Sequence, residues 1–311
     1  MIHANSLTKY YGERTALDGV SFEIQEGECV GFLGRNGAGK STLLRILATA
    51  LLPSAGTVRV AGIDLVDDPH EARKRIGYLP EEPPLYGEMT VRGYLSFLAQ
   101  LRGVAKADTA ARVEEAAAKT NLAAVLDDPI RTLSLGYRKR VGIAQAIVHR
   151  PPVVIVDEPI SGLDPAQIAD MRELLKSLRG KHTVLLSSHI LSEVSQTCDR
   201  VFVIDRGRIL AQGKESELRG SLTSARRVRL EVRGSREALQ AALSKVAEVA
   251  SHRILLEEGG VLSAEVEMSS DATEAIAAKV VGDGLGLRSM RRADDDLENV
   301  FLELTQLKGA A

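Results

Sequence analysis

Short apolar runs without polar alternation punctuate the first two thirds of the chain. Cys29-Val30-Gly31-Phe32-Leu33 lies between Gly27 and Gly34. Val153-Val154-Ile155-Val156 follows Pro151-Pro152, and Thr183-Val184-Leu185-Leu186-Ser187 is a third run. Such runs bury both faces, which suits a parallel sheet covered by helices. Between them the spacing turns helical. Leu43, Leu44, Ile46, Leu47 and Leu51 predict a helix over residues 40–52. The alanine-rich stretch from about Val91 to Val125 predicts an inserted helical subdomain. Val201 to Ile204 and Arg208 to Leu210 flank Asp205-Arg206-Gly207 and predict a hairpin.

After about Gly220 the texture changes. Residues 221–225 are small and polar, as in a linker. Val228, Leu230 and Val232 then alternate with Arg227, Arg229 and Glu231, the signature of a half-buried strand. Ser235 is placed to cap a helix running to about Val246. A hairpin is expected around Glu257-Glu258-Gly259-Gly260, between Ile254-Leu255-Leu256 and Val261 to Val266. A helix at about Ala272 to Val281 and a strand near Leu287 to Arg291 follow. A last helix is expected from Asp294, burying Leu297, Val300, Phe301 and Leu304. The pattern describes a small α+β domain over residues 226–308, with no motif tied to chemistry.

Composition narrows the class without naming it. At 311 residues the chain has room for two domains, and 44% hydrophobic with 26% charged residues is ordinary for a globular protein. Forty Lys and Arg against 42 Asp and Glu give a net charge of −2, so bulk charge does not suggest a nucleic-acid binder. No apolar run approaches the roughly 18 to 20 residues that span a bilayer. No secretory signal is visible at Met1-Ile2-His3-Ala4-Asn5. Cys29 and Cys198 stand far apart in unlike contexts, and free buried thiols are expected rather than a disulfide. A cytosolic protein is the expectation, with attachment to a membrane partner left open.

Chemistry enters at Gly34-Arg35-Asn36-Gly37-Ala38-Gly39-Lys40-Ser41-Thr42, which fits the phosphate-binding G-x-x-x-x-G-K-[ST] loop. A strand ahead and a helix behind aim backbone N–H groups and the positive helix end at one point. Gly37 and Gly39 let the backbone curl close to phosphate oxygens. Lys40 reaches the β- and γ-phosphates, and the Ser41 hydroxyl is placed to ligate Mg²⁺. Asp157 and Glu158 follow an apolar strand. One carboxylate there holds Mg²⁺ through water, and its neighbour polarises a water for in-line attack. A second helix start, Leu133-Ser134-Leu135-Gly136-Tyr137, offers Ser134 as N-cap and Gly136 for close backbone approach.

These motifs, together and in this order, resemble the nucleotide-binding subunit of an ABC transporter over about residues 2–220. Leu133 to Tyr137 matches the family signature LSGGQ, with Leu135 and Tyr137 as departures. Ser161-Gly162-Leu163-Asp164 resembles the D-loop, His189 falls at the switch histidine, and Tyr11 at the aromatic that stacks on adenine. The resemblance implies an α/β P-loop NTPase of ABC type, with a RecA-like core over residues 1–220 and a helical subdomain at about 88–150. It implies ATP and Mg²⁺ as ligands, and two domains paired head to tail as a homodimer or heterodimer. In that arrangement Ser134 and Gly136 contact the partner subunit's ATP. Hydrolysis drives a separate transmembrane permease, received near Tyr86, Met89, Tyr94, Phe97 and Leu98, at the cytoplasmic face of the membrane. The form Tyr78-Leu79-Pro80-Glu81, the altered signature and the ending Glu298 to Leu304 resemble a bacterial exporter branch that includes gliding-motility-associated and multidrug-type ATPases.

One departure changes the chemistry. The family usually carries glutamine where this chain has Glu81. An ionised glutamate brings charge and no donor, yet remains a hard oxygen ligand for Mg²⁺. Arg35, where proline is frequent, is a milder departure. Two other classes remain: an ABC ATPase acting on ribosomes or DNA, and a nucleotide-operated regulatory module. A single P-loop and the lack of sustained heptads count against the first. The basic cluster Arg138-Lys139-Arg140 lies on the signature helix, where a solvated face is expected rather than a nucleic-acid stripe.

Overall fold

The structure is a computed structural model that describes residues 1–214, 216–218 and 226–292. The expected linker at 221–225 and the helix expected from Asp294 lie outside those residues. The chain divides into two units, the first spanning Met1–Lys214. Its strands are β1 (Ile2–Tyr11), β2 (Arg14–Ile24), β3 (Cys29–Leu33), β4 (Ala55–Val60), β5 (Ile63–Asp64), β6 (Ile76–Leu79), β7 (Val153–Asp157), β8 (Thr183–Ser188), β9 (Arg200–Asp205) and β10 (Arg208–Gly213). Its helices are α1 (Lys40–Leu47), α2 (Pro69–Lys74), α3 (Val91–Leu101), α4 (Lys106–Lys119), α5 (Leu135–Ile147), α6 (Pro165–Leu178) and α7 (Leu191–Thr197).

The central sheet has the order β10-β9-β3-β8-β7-β6, parallel throughout except for the terminal β10. Every residue of β3, β7 and β8 is buried, as their unbroken apolar runs require. The hairpin joining β9 to β10 turns at Arg206 and Gly207, both with positive φ. That conformation matches the right-handed twist of the flanking strands. Helices α3 and α4 occupy the stretch expected to be a helical subdomain.

Two features depart from the periodicity. The predicted helix over 40–52 ends at Leu47, because Thr49 adopts φ 59° and turns the chain away. A second, antiparallel sheet has the order β2-β1-β4-β5, and its buried residues share one core with those of α1. Register shifts between Ala4 and Tyr10 interrupt its apolar alternation, which hides β1 from a period-two reading. Phe22 of β2 packs against Phe32 and Phe202, with ring centroids 5.7 and 5.6 Å away, and so joins the two sheets. Cys29 and Cys198 are free thiols, but the fold brings their Sγ atoms to 3.6 Å. Burial pushes the Cys198 thiol up, which disfavours the reactive thiolate.

The second unit contains β11 (Arg226–Arg233), α8 (Arg236–Leu243), β12 (Val249–Glu258), β13 (Val261–Met268), α9 (Thr273–Gly282) and β14 (Gly286–Arg292). The strand order β12-β13-β11-β14, all antiparallel, is that of a ferredoxin-like βαββαβ unit. Val228, Leu230 and Val232 bury against Leu239, Leu243, Ile276 and Val280 of its two helices. Ser235 caps α8, accepting from the Ala238 N–H, and the helix ends at Leu243, short of the expected Val246.

Helix α5 lies directly on β6. A Cβ on Gly77 would fall 1.9 Å from the Ala146 carbonyl oxygen. Gly77→Ala is therefore expected to destabilise the fold by about 1–3 kcal/mol, read as a lower urea midpoint; an unchanged midpoint would refute this close contact.

Candidate nucleotide site

Four loops that carry the chemistry leave the carboxyl ends of four adjacent parallel strands, the usual position of a ligand crevice in an α/β sheet. The P-loop follows β3, Glu158 follows β7, His189 follows β8, and Glu81 lies just beyond β6. The pairing is in register, with Leu33 opposite Ser188, Asp157 opposite Ser187, and Leu79 opposite Val156. A cavity of about 400 Å³ opens there, lined among others by Tyr11, Asn36, Gly37, Gly39, Lys40, Ser41, Thr42, Glu81, Glu158 and His189.

The P-loop is shaped by close backbone contacts. Gly39 has φ 111°, and a Cβ there would lie 2.6 Å from the Ala16 carbonyl. Gly34 and Ala38 are buried beneath the loop, and a Cβ on Gly34 would lie 2.5 Å from the Ile204 carbonyl. The Lys40 ammonium is 5% exposed; it donates to the Gly34 carbonyl at 2.8 Å and stands 3.2 Å from Glu158 Oε1. A buried ammonium with donors aimed along a glycine loop suits a phosphate.

Behind the cavity, Ser187 Oγ donates to Asp157 Oδ1 at 2.6 Å and accepts the Glu158 N–H at 2.9 Å. Ser41 Oγ donates to the same Asp157 oxygen at 3.2 Å. Asp157 Oδ2 is buried and has no hydrogen-bond partner. An orphaned carboxylate oxygen beside a hydroxyl is a hard donor set that fits Mg²⁺. Glu158 has φ 46°, unusual for a residue with a Cβ. Its Oε2 lies 3.0 Å from His189 Nδ1.

Ser134, Gly136 and Asp164 lie outside this cavity's lining, whereas Tyr11 stands at its edge. Ser134 is exposed and caps α5, accepting from the Tyr137 N–H. Gly136 faces α6: a Cβ there would meet Gln167 Oε1 at 2.6 Å. Asp164 caps α6 by accepting from the Gln167 N–H at 2.9 Å. Tyr11 is 47% exposed, with Lys9 Nζ 5.5 Å from its ring centre. Next to Glu81 a groove of about 600 Å³ runs between Pro83, Leu85, Arg131 and Leu135. Tyr86 and Phe97 are exposed nearby, whereas Tyr94 is core.

Two polar residues were not singled out by sequence reasoning. Ser187 was visible only as the end of a strand. Lys139 was assigned to a solvated basic face, and the structure corrects this. It is 3% exposed, and Nζ donates to the Glu81 and Glu158 carbonyls. Burial pushes its pKa down, against the pull of Glu81, Glu158 and Asp157.

The sequence profile of the ABC transporter family matches residues 17–161. A linearmycin resistance ATP-binding protein of Bacillus subtilis is 30% identical over 98% of both chains. A daunorubicin/doxorubicin resistance ATP-binding protein of Streptomyces peucetius is 35% identical over 98% of this chain and 92% of its own. This chain belongs to the ABC transporter family. It is an ATP-binding subunit of the exporter type, and an ATPase. A solved dimeric cassette in a post-hydrolysis state, bound to ADP and Pi, superposes with a TM-score of 0.63 at 25% identity, covering 69% of this chain and 98% of that one.

Ser187→Ala removes the hydroxyl shared by Asp157 and Glu158. The expected result is a fall in kcat for ATP hydrolysis of about tenfold or more, with ATP affinity retained. Steady-state kinetics with a binding titration check it, and an unchanged kcat would remove Ser187 from the site.

Proposed function

We propose that this cassette pairs head to tail, with a second copy or a close relative, around two ATP molecules and drives a separate membrane permease. The carrying observation is the convergence of Lys40, Asp157, Glu158 and His189 at in-register strand ends. The P-loop amides from Gly34 to Thr42 and the Lys40 ammonium bind the phosphates, and Tyr11 stacks on the adenine. Ser134 and Gly136, outside their own subunit's cavity, serve the partner's ATP, with the Asp164 segment beside them. Residues 1–220 form the nucleotide-binding domain and 226–308 an accessory domain.

Ser41, Asp157 and Glu81 would hold Mg²⁺, Asp157 through water. When bound, Mg²⁺ neutralises charge on the β- and γ-phosphates. Glu158 accepts a proton as a water forms its bond to the γ-phosphorus, while the bond to ADP breaks. The carboxylate only accepts hydrogen bonds, so His189 donates from Nδ1 and leaves Nε2 to accept from that water. His189 thereby orients both base and nucleophile. Positioning and preset electrostatics supply most of the acceleration in phosphoryl transfer.

No helix among the described residues is long and apolar enough to cross a membrane. The groove beside Glu81 is the proposed seat of a permease segment, and the cassette is proposed to work at the cytoplasmic face of the membrane. The antibiotic-resistance names of the full-length relatives favour export as the direction. They offer no support for action on ribosomes or DNA, or for a regulatory module.

Glu158→Gln should lower kcat by about 100- to 10,000-fold while ATP still binds and a closed dimer accumulates in size-exclusion chromatography. Retained turnover would remove Glu158 as the base. Lys40→Ala should instead weaken ATP binding by about tenfold or more, measured by equilibrium titration.

A further inference from the structure

Helix α5 is strapped to β6 and the Glu81 loop along one face. Lys139, Gly142, Gln145 and Ala146 are spaced to share that face. A Cβ on Gly142 would lie 2.5 Å from Leu79 Cδ1. Gln145 Nε2 donates to the Tyr78 carbonyl at 2.6 Å. Lys139 extends the strap past the strand end. Its Nζ donates to the Glu81 carbonyl at 2.7 Å and to the Glu158 carbonyl at 3.2 Å.

The second contact falls where the backbone is strained. Glu158 is held at φ 46°, a left-handed conformation disfavoured for a residue with a Cβ. Its N–H donates to Ser187 Oγ, and its carbonyl accepts from Lys139 Nζ and, at 3.3 Å, from the Ser161 N–H. The backbone is therefore gripped on both sides, and the carboxylate direction follows from it. Lys139 is not among the residues lining the nucleotide cavity. A buried lysine is costly unless its donors are used, and here two are spent on the loop beside the proposed permease groove and on the proposed base.

We propose that Lys139 is a positioning residue for ATP hydrolysis: by joining the Glu81 and Glu158 carbonyls, it transmits displacement of the Glu81 loop to the set of the Glu158 carboxylate. This rests on the reading of Glu158 as general base. Lys139 lies outside the lining of the nucleotide cavity and acts through Glu158.

The test uses the full chain and ATP. Lys139→Met keeps the apolar stem and removes the donors. It should lower kcat by about 10- to 100-fold, with KM and the equilibrium affinity for ATP within about twofold of the parent. Lys139→Gln keeps an N–H donor and should fall between the two. The inference is overturned by a parental kcat in Lys139→Met, by KM rising in step with the loss of kcat, or by failure of both variants to fold. Glu158→Gln assayed in parallel separates the two readings. Turnover in that variant discards the base assignment itself, whereas silence there with full activity in Lys139→Met discards only the link.

Discussion

Everything at the nucleotide site depends on in-register pairing of the parallel strands β3, β8, β7 and β6. Each strand rises about 3.3 Å per residue, so a one-residue slip in any pair would displace a loop by more than a hydrogen bond tolerates. It would also reverse which side chains face α1 and which face away. With Asp157 set opposite Ser187, one hydroxyl serves both the metal-side carboxylate and the backbone of the proposed base. β3, β7 and β8 are buried throughout and β6 all but at Tyr78, so a slip would also misfit the side chains packed against helices on both faces.

Much of this was legible from residue order. The runs of β3, β7 and β8 stood out because burial on both faces leaves no polar interruptions. The P-loop stood out because phosphate binding needs glycine and lysine at fixed spacing. The antiparallel sheet escaped, since the irregularities between Ala4 and Tyr10 break alternation wherever β1 bulges. The end of α1 escaped because a threonine in the left-handed region leaves no mark on hydrophobic spacing. The meeting of Cys29 and Cys198 arises from the packing of α7 on β3, a tertiary event that separation along the chain conceals.

Lys139 shows the same limit within the site. Between Arg138 and Arg140 it looks like one of three solvated charges. Arg138 is indeed exposed, and Arg140 pairs with Asp170 at 2.9 Å. Only the position of α5 against β6 shows that the middle charge points inward. The second unit was readable in its alternation, yet its strand order required the structure. Arg227 opposite Glu267 and Arg229 opposite Glu265 then emerge as cross-strand charge pairs, of the kind that help fix register.

Lys139 donates to position 81 at its main-chain oxygen, and the Glu81 charge acts on it only through space. Every amino acid offers that oxygen. That hydrogen bond does not depend on which side chain stands at position 81. A different side chain at position 81 would change the charge facing the cavity and the pull on Lys139 while leaving the main-chain contact between the loops available.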